Sequence, residues 1–369
     1  MIALYGATGF TGRLVARALA ARRLPLLLVG RDRARLEALA AELPGGATWA
    51  IAAADDEVAL RGAFRKAKVV VSCAGPFGVH GRHIVDAAIA EGRHYLDISG
   101  EVGFAQQLIA RDERARSRGV AVIGCVGFDV VVSDAAAVMA CEALEGRPIR
   151  EVRLTVASTT QPSRGSLRTL LGGLQSGDYE WTFAGGLVVP APIGAERWAV
   201  NLPPPFERCS ATSFGLVEAV VSPRSTGARR FRTGLALPGA GAFAAFARAV
   251  RWLSRRPMVG AGLRAALDGV IRLVPKGGGE RTRAAARFAV EAQATAEDGE
   301  VRAVVVTGGD VGEVTAAAAA ICVARVAEAD GVPSGFQTPA QAFGARWLLD
   351  ELSASGVAWS ATAGMSREV

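Results

Sequence analysis

The run Gly6-Ala7-Thr8-Gly9-Phe10-Thr11-Gly12 follows an apolar stretch, 2–5, and precedes an amphipathic one, 14–21. Glycines at this spacing let a chain turn sharply and let backbone N–H groups at a helix N-terminus approach phosphate oxygens. A strand, a glycine-rich turn and a helix in that order predict a dinucleotide pyrophosphate over Gly6, Thr8, Gly9, Phe10, Thr11 and Gly12. Gly12 is expected to permit close helix–strand packing. Gly9 is expected to lie against the phosphates and to take a positive φ. The spacing is GxxGxxG rather than GxGxxG, and the plainer alternative is a domain of this kind that has lost its ligand.

The second apolar run, 26–29, ends in Gly30-Arg31-Asp32-Arg33. A site dedicated to NAD usually places an acid at this strand tip, where it accepts from the ribose hydroxyls. Here Gly30 leaves room for a 2′-phosphate, and the Arg31 guanidinium can pair with it. The expected cofactor is therefore NADP(H), with Arg33 or Arg35 adding charge. Asp32 reads as a helix N-cap.

Ligands of open α/β sheets bind beyond the carboxyl ends of the strands. The end of the fourth run, with Ala74, Gly75 and Pro76, is expected beside the nicotinamide half. Tyr95, Asp97, Glu101, Asp129 and His80 lie at or just after strand ends and are the candidate catalytic groups. A buried carboxyl there can stay protonated and donate a proton, or bind a cationic amine. A histidine can protonate a carbanion. The alternative is structural: Asp97 and Glu101 cap backbone groups of the following helix, His80 caps a helix or meets solvent, and Ser133 and Asp134 cap a helix over 135–142. No catalytic triad, Walker loop or metal-ligand spacing is present, so no metal site is expected. Hydride transfer needs none of these, because the cofactor carries the chemistry.

These residues need a scaffold. Apolar runs at 2–5, 26–29, 48–52, 69–74, 95–98 and 120–123 alternate with helical patterns at 14–21, 33–42, 57–65, 81–91 and 104–118. That rhythm predicts a doubly wound parallel sheet of the Rossmann type over 1–127. Beyond it, 150–160, 198–202, 217–221, 231–237, 289–295 and 301–307 read as strands, and 290–307 as a hairpin turning at Glu297-Asp298-Gly299-Glu300. The expected fold class is α/β, with a second α+β domain over 128–332 carrying a more antiparallel sheet. A helical insertion spans 242–273. A helix at 313–330 follows, Gly277-Gly278-Gly279 forms a loop, and a last helix covers 339–355. The segment 333–369 returns to the first domain, with 362–369 as a loose tail.

The chain has 369 residues, half of them hydrophobic and 21% charged, which excludes disorder for most of its length. Its net charge of +7 comes mostly from dispersed arginines, with lysine only at 66, 68 and 276. No basic run is interleaved with aromatics, so a nucleic-acid partner is not expected. The five cysteines, 73, 125, 141, 209 and 322, lack metal spacing and fit reduced thiols. The first residues read as a strand, so no leader is expected, and no apolar run reaches the ~20 residues of a membrane span. A cytoplasmic location is expected. The insertion mixes Phe243, Phe246, Val250, Leu253 and Leu263 with Arg248, Arg251, Arg255 and Arg256. It fits a lid or oligomer helix, a membrane-surface helix, or a platform for an acidic carrier domain.

With these motifs in hand, the chain resembles the saccharopine-dehydrogenase-like oxidoreductases, and most closely the bacterial branch that includes trans-acting enoyl reductases. The matching pieces are Gly6 to Gly12, Gly30-Arg31-Asp32, Cys73-Ala74-Gly75-Pro76-Phe77, His94-Tyr95-Leu96-Asp97 with Gly100-Glu101, Gly127-Phe128-Asp129 with Ser133-Asp134, and Thr338-Pro339-Ala340-Gln341-Ala342-Phe343. Val132, Ala53 and Gly309-Asp310-Val311-Gly312 depart from the family pattern. The resemblance implies an NADP-binding domain, a second α+β domain, and reduction of an unsaturated biosynthetic intermediate, C=C slightly ahead of C=N. The partner would be a small molecule, carrier-bound or lipid-like. A homodimer and peripheral membrane contact stay open. The competing reading is a non-catalytic dinucleotide-binding scaffold or membrane-peripheral protein.

Overall fold

The computed structural model of the chain describes residues 1–274, 279–329 and 331–363. Gly277 and Gly278 of the expected loop, and the tail beyond 363, lie outside the described residues. Two compact units divide the chain: Met1–Val131 with Gly312–Ser355, and Val132–Val311 with Gly356–Val369.

The first unit opens with β1 (Ile2–Tyr5), α1 (Phe10–Ala21), β2 (Leu26–Gly30), α2 (Arg33–Glu42), β3 (Thr48–Ile51), α3 (Glu57–Phe64), β4 (Val69–Ser72), α4 (Phe77–Ala90), β5 (His94–Asp97), α5 (Val102–Ile109), α6 (Asp112–Ser117) and β6 (Ala121–Ile123). The strands β1, β4 and β6 are buried at every residue, as continuous apolar runs covered on both faces should be. Thr48–Ile51 is the exception, half-exposed because it is an edge strand. The expected helix over 104–118 is two helices, broken at Ala110 and Arg111.

The division between units falls inside α7 (Phe128–Glu142). This corrects the expected helix start at 135. Ser133 and Asp134 are mid-helix and cannot cap it. Ser133 Oγ instead donates to Glu218 at 2.7 Å, and Asp134 accepts from Ser225.

The second unit continues with β7 (Ile149–Ser158), α8 (Arg164–Ser176), β8 (Trp181–Ala184), β9 (Leu187–Pro190), β10 (Arg197–Asn201), β11 (Arg208–Ser213), α9 (Glu218–Val221), α10 (Pro223–Thr226), β12 (Arg230–Ala236), α11 (Ala240–Ser254), α12 (Pro257–Leu273), α13 (Glu280–Ala285), β13 (Phe288–Ala296) and β14 (Val301–Gly308). The run 217–221 is helix α9 rather than a strand; an apolar run this short carries no readable period. The insertion is a helix pair, α11 and α12. It buries Ala244, Ala247 and Val250 against Leu174, Tyr179 and Phe214, and leaves Phe246, Trp252, Val259, Val270 and Leu273 exposed.

The chain then returns to the first unit with α14 (Val311–Glu328), β15 (Gly335–Gln337), α15 (Pro339–Phe343) and α16 (Ala345–Ser353), and ends in β16 (Ala358–Ala363). Gly344, at φ +86°, splits the expected last helix in two. The expected return of 333–369 to the first domain is also divided. β15 pairs in parallel with β6, whereas β16 pairs antiparallel with β14 in the second unit.

Among the described residues the first sheet has seven parallel strands in the order β15-β6-β5-β4-β1-β2-β3. The second is mixed, with β10-β11-β12-β7-β13-β14-β16 and the β8–β9 hairpin on β12. Only β12 and β7 pair in parallel there; the hairpin expected at 290–307 is β13–β14.

In the first sheet the strand order reverses between β1 and β4, whose carboxyl ends therefore flank the crevice. The two loops there meet: a Cβ built on Gly6 falls 2.9 Å from Ala74 Cβ. One built on Gly12 falls 2.2 Å from Gly6 O, a clash with backbone that no side-chain rotation relieves. Gly12→Ala should therefore lower stability by about 1–3 kcal/mol through overpacking. Denaturant unfolding checks this, and an unchanged midpoint would show that α1 has slack at this contact.

Candidate functional site

The glycine-rich turn is built by two glycines with different duties. Gly6 takes φ +79° to leave β1, and Gly12 lets α1 sit on the turn. Gly9 does neither. It is the N-cap of α1 at φ −72°, so the expected positive φ belongs to Gly6. Gly9 N donates to Gly6 O at 3.1 Å, and Gly9 O accepts from Arg13 N. No side chain caps α1, and its first turn holds no acid. The first-turn N–H groups have no partner within a helix, and together with the helix dipole they favour an anion. Thr8, Phe10 and Thr11 are half-buried around this turn.

At the tip of β2, a Cβ on Gly30 would make only an ordinary contact with Leu36 at 3.7 Å. Packing does not demand glycine there; a free approach to the strand tip does. Asp32 caps α2 by accepting from Arg35 N at 3.1 Å. The three neighbouring arginines diverge. Arg33 is held by Glu37 at 2.9 Å and lies over the Trp49 ring. Arg35 crosses to the first turn, where its Nη2 donates to Thr8 O at 2.6 Å. Arg31 is exposed and near enough to Tyr5 to act on its ionisation. An uncapped helix N-terminus with one guanidinium bonded to its turn and another just past the neighbouring strand tip fits a dinucleotide carrying an extra phosphate.

The carboxyl ends of β4 and β5 carry the other candidates. Ala74 lies against Gly6; Gly75 and Pro76 are exposed, and Pro76 is the N-cap of α4 without a side-chain bond. Glu101 supplies what Pro76 lacks. Its Oε1 and Oε2 accept from Phe77 N and Gly78 N, both at 2.8 Å. Glu101 thus braces the preceding helix α4; at its own place as N-cap of α5 its side chain makes no capping bond. His80 lies in the first turn of α4, half-buried.

Asp97 is fully buried. Its Oδ1 accepts from Ser99 N at 2.9 Å and Cys125 N at 3.0 Å, and so pins Cys125, a non-glycine residue at φ +61°. Burial pushes the Asp97 carboxyl up, against those bonds. Its Oδ2 faces the same side of the sheet as Tyr95 and Ser72, because Ser72 pairs with Asp97 and Tyr95 precedes it by two. The Tyr95 hydroxyl lies near both, but no well-formed hydrogen bond joins the three atoms. Burial first, then Asp97, holds the Tyr95 phenol well above its usual range. Tyr95 is neutral and fully buried, so it supports the strand end from beneath.

Asp129 differs from these. It lies in the first turn of α7 with its carboxyl against Gly100, where a Cβ would meet Oδ2 at 2.9 Å. The residue is exposed, yet desolvation pushes its carboxyl to about 6. Solvent on its open side limits that rise. Of the five candidates, Asp129 joins access to solvent with a raised carboxyl.

Residues 2–123 match the family model of the saccharopine dehydrogenase NADP binding domain. This stretch of the first unit thus resembles the NADP-binding domain of saccharopine dehydrogenases. A saccharopine dehydrogenase-like oxidoreductase of Arabidopsis thaliana is 36% identical over 146 residues, covering 36% of this chain and 32% of the relative. A trans-acting enoyl reductase of Mycobacterium bovis is 34% identical over 139 residues, covering 36% of this chain and 33% of the relative. Each match thus spans about a third of the relative's length. Saccharopine dehydrogenase (L-Glu forming) from Saccharomyces cerevisiae shares the fold over 98% of this chain and 99% of its own, with a TM-score of 0.65 at 14% identity. Among the described residues no helix is long and apolar enough to cross a membrane, and no cluster of side chains could hold a metal ion.

The NADP-binding domain should prefer NADPH to NADH through Arg31. Arg31→Ala should weaken NADPH by about 1–3 kcal/mol, one charge-assisted bond to the 2′-phosphate, and leave NADH nearly unchanged. Arg33→Ala, already engaged with Glu37 and Trp49, should spare both. Fluorescence titration checks this, and equal losses for the two cofactors in Arg31→Ala would remove the assignment.

Proposed function

We propose that the protein is an NADPH-dependent reductase of an unsaturated small-molecule biosynthetic intermediate, with an enoyl C=C favoured over an imine C=N. The observation that carries this reading is the uncapped first turn of α1, with Arg35 bonded to Thr8 O and Arg31 exposed just past the tip of β2. The enoyl preference rests on the enoyl reductase relative. When bound, NADPH supplies the hydride. The chain's part is to hold it, to place the acceptor and to deliver a proton.

Gly6, Gly9 and Gly12 shape the turn, and the first-turn amides of α1 bind the pyrophosphate. Arg31 takes the 2′-phosphate, and Arg35 fixes the turn through Thr8. Ala74, Gly75 and Pro76 leave the acceptor room at the end of β4. Asp129 is the acid we assign. A carboxyl at about 6 retains a proton over part of the neutral range and can protonate the carbon next to the one reduced. His80, half-buried in the first turn of α4, is the rival candidate. Asp97, Tyr95 and Glu101 act as positioning residues, because their polar atoms are buried or engaged in backbone bonds.

Guanidinium groups bear on the substrate class. Arg153, Arg230 and Arg232 cluster on the second unit's sheet, but Glu151 and Glu196 pair with them. Occupied in this way, they do not favour a dicarboxylate amino acid. The exposed Phe246, Trp252 and Leu273 of α11 and α12 favour the second reading, a dinucleotide-binding membrane-peripheral protein.

Stopped-flow measurement of NADPH consumption with an α,β-unsaturated acyl thioester and with a cyclic imine separates the readings. Turnover of the thioester is expected, falling as pH rises through about 6 because the acid must be protonated. Asp129→Asn should slow it by roughly 10²–10⁴-fold, the usual worth of general acid catalysis, and abolish that limb of the profile. Tight NADPH binding without consumption of either acceptor would favour the scaffold. An unaltered profile in Asp129→Asn would move the proton to His80 or water.

A further inference from the structure

A cavity of about 490 Å³ lies within the second unit, and none of the groups assigned above lines it. Its size falls in the ligand-pocket range of about 300–1,000 Å³. Segments distant in sequence enclose it: the end of β7, the start of β10, the loop into β11, and the turn from β12 into α11. Phe206, Leu237 and Pro238 give it an apolar wall.

Its polar groups are arranged in an unusual way. Arg197 and Thr212 are directly paired across β10 and β11, so their side chains share one face of the sheet. The Arg197 guanidinium reaches the first turn of α11, where a Cβ on Gly241 would meet its Nη2 at 2.7 Å. That is the positive end of a 15-residue helix whose first turn has no acid and whose N-cap, Gly239, offers no side chain. A cation is disfavoured at a helix N-terminus unless an anion lies between them. Among the described residues no carboxylate forms an ion pair with Arg197. Thr212 is 3% exposed, and its Oγ1 has no hydrogen-bond partner. Folded proteins seldom leave a buried hydroxyl unpaired, and Thr212 is among the residues that line the cavity.

We propose that this cavity binds an amphiphilic anion. A carboxylate or phosphate head is held by Arg197, the Thr212 hydroxyl and the first-turn amides of α11, with a short aliphatic body against Phe206, Leu237 and Pro238. The site does not depend on the reductase reading, and its test uses no NADPH.

Calorimetric titration of the full chain with octanoate, octyl phosphate and octanol tests it. At least one anion should bind, and octanol roughly tenfold or more weakly, because it lacks the charge-assisted bonds. Tighter binding of octanoate or of octyl phosphate identifies the head as carboxylate or phosphate. Arg197→Gln should bring the anion down to the level of octanol. Ser210→Trp, at an exposed lining position of β11, should block all three ligands. Circular dichroism establishes that each variant is folded; should Arg197→Gln unfold, Thr212→Val takes its place and should weaken the anion more than octanol. Failure of both anions to bind the wild-type protein overturns the proposal, as does anion binding that survives unchanged in folded Arg197→Gln and Ser210→Trp.

Discussion

The site rests on how closely a helix can approach the turn that precedes it. Gly12 leaves α1 so near Gly6 that a single methyl group would strike the Gly6 carbonyl at 2.2 Å. That contact directs the open N–H groups of α1 over the end of β1, and the end of β4 lies alongside because Gly6 also clears Ala74. With those backbones together, an anion-binding helix end and a second strand tip bearing Arg31 border the same crevice. The phosphate-binding part of the proposed site is therefore mostly backbone, fixed by the absence of side chains.

Carboxylates do the bracing on the other side of that crevice. Glu101 takes two amides of α4, and Asp97 takes the amides of Ser99 and Cys125. Each acid holds a loop that follows a strand. The cost appears at Asp97, where burial works against ionisation and leaves Oδ2 without a partner beside Tyr95 and Ser72. Asp129 lies instead in the first turn of α7, with its carboxyl against Gly100. Its exposure and raised carboxyl support assigning proton delivery to it.

What the sequence disclosed follows from the range of each interaction. The glycine turn, the Asp32 cap and the parallel strands were legible because each is written in a few adjacent residues. Arg35 bonding to Thr8 joins positions 27 apart, and Glu101 capping α4 joins positions 24 and 23 apart, so neither leaves a local signal. The α7 start at Phe128 was hidden because Gly-Phe-Asp reads equally as a loop, which displaced Ser133 and Asp134 to helix ends they do not occupy. The second unit was the least legible. Its cavity is assembled from separate segments, and Arg197 becomes distinctive only beside α11.

Hydrogen–deuterium exchange with and without NADPH tests the central claim most directly, because it reads the backbone amides that the turn presents. The account predicts slower exchange in peptides covering 6–13, 30–36 and 74–78 on adding NADPH, and a smaller effect at 30–36 with NADH. Protection confined to other segments, or none at 6–13 at saturating NADPH, would contradict it.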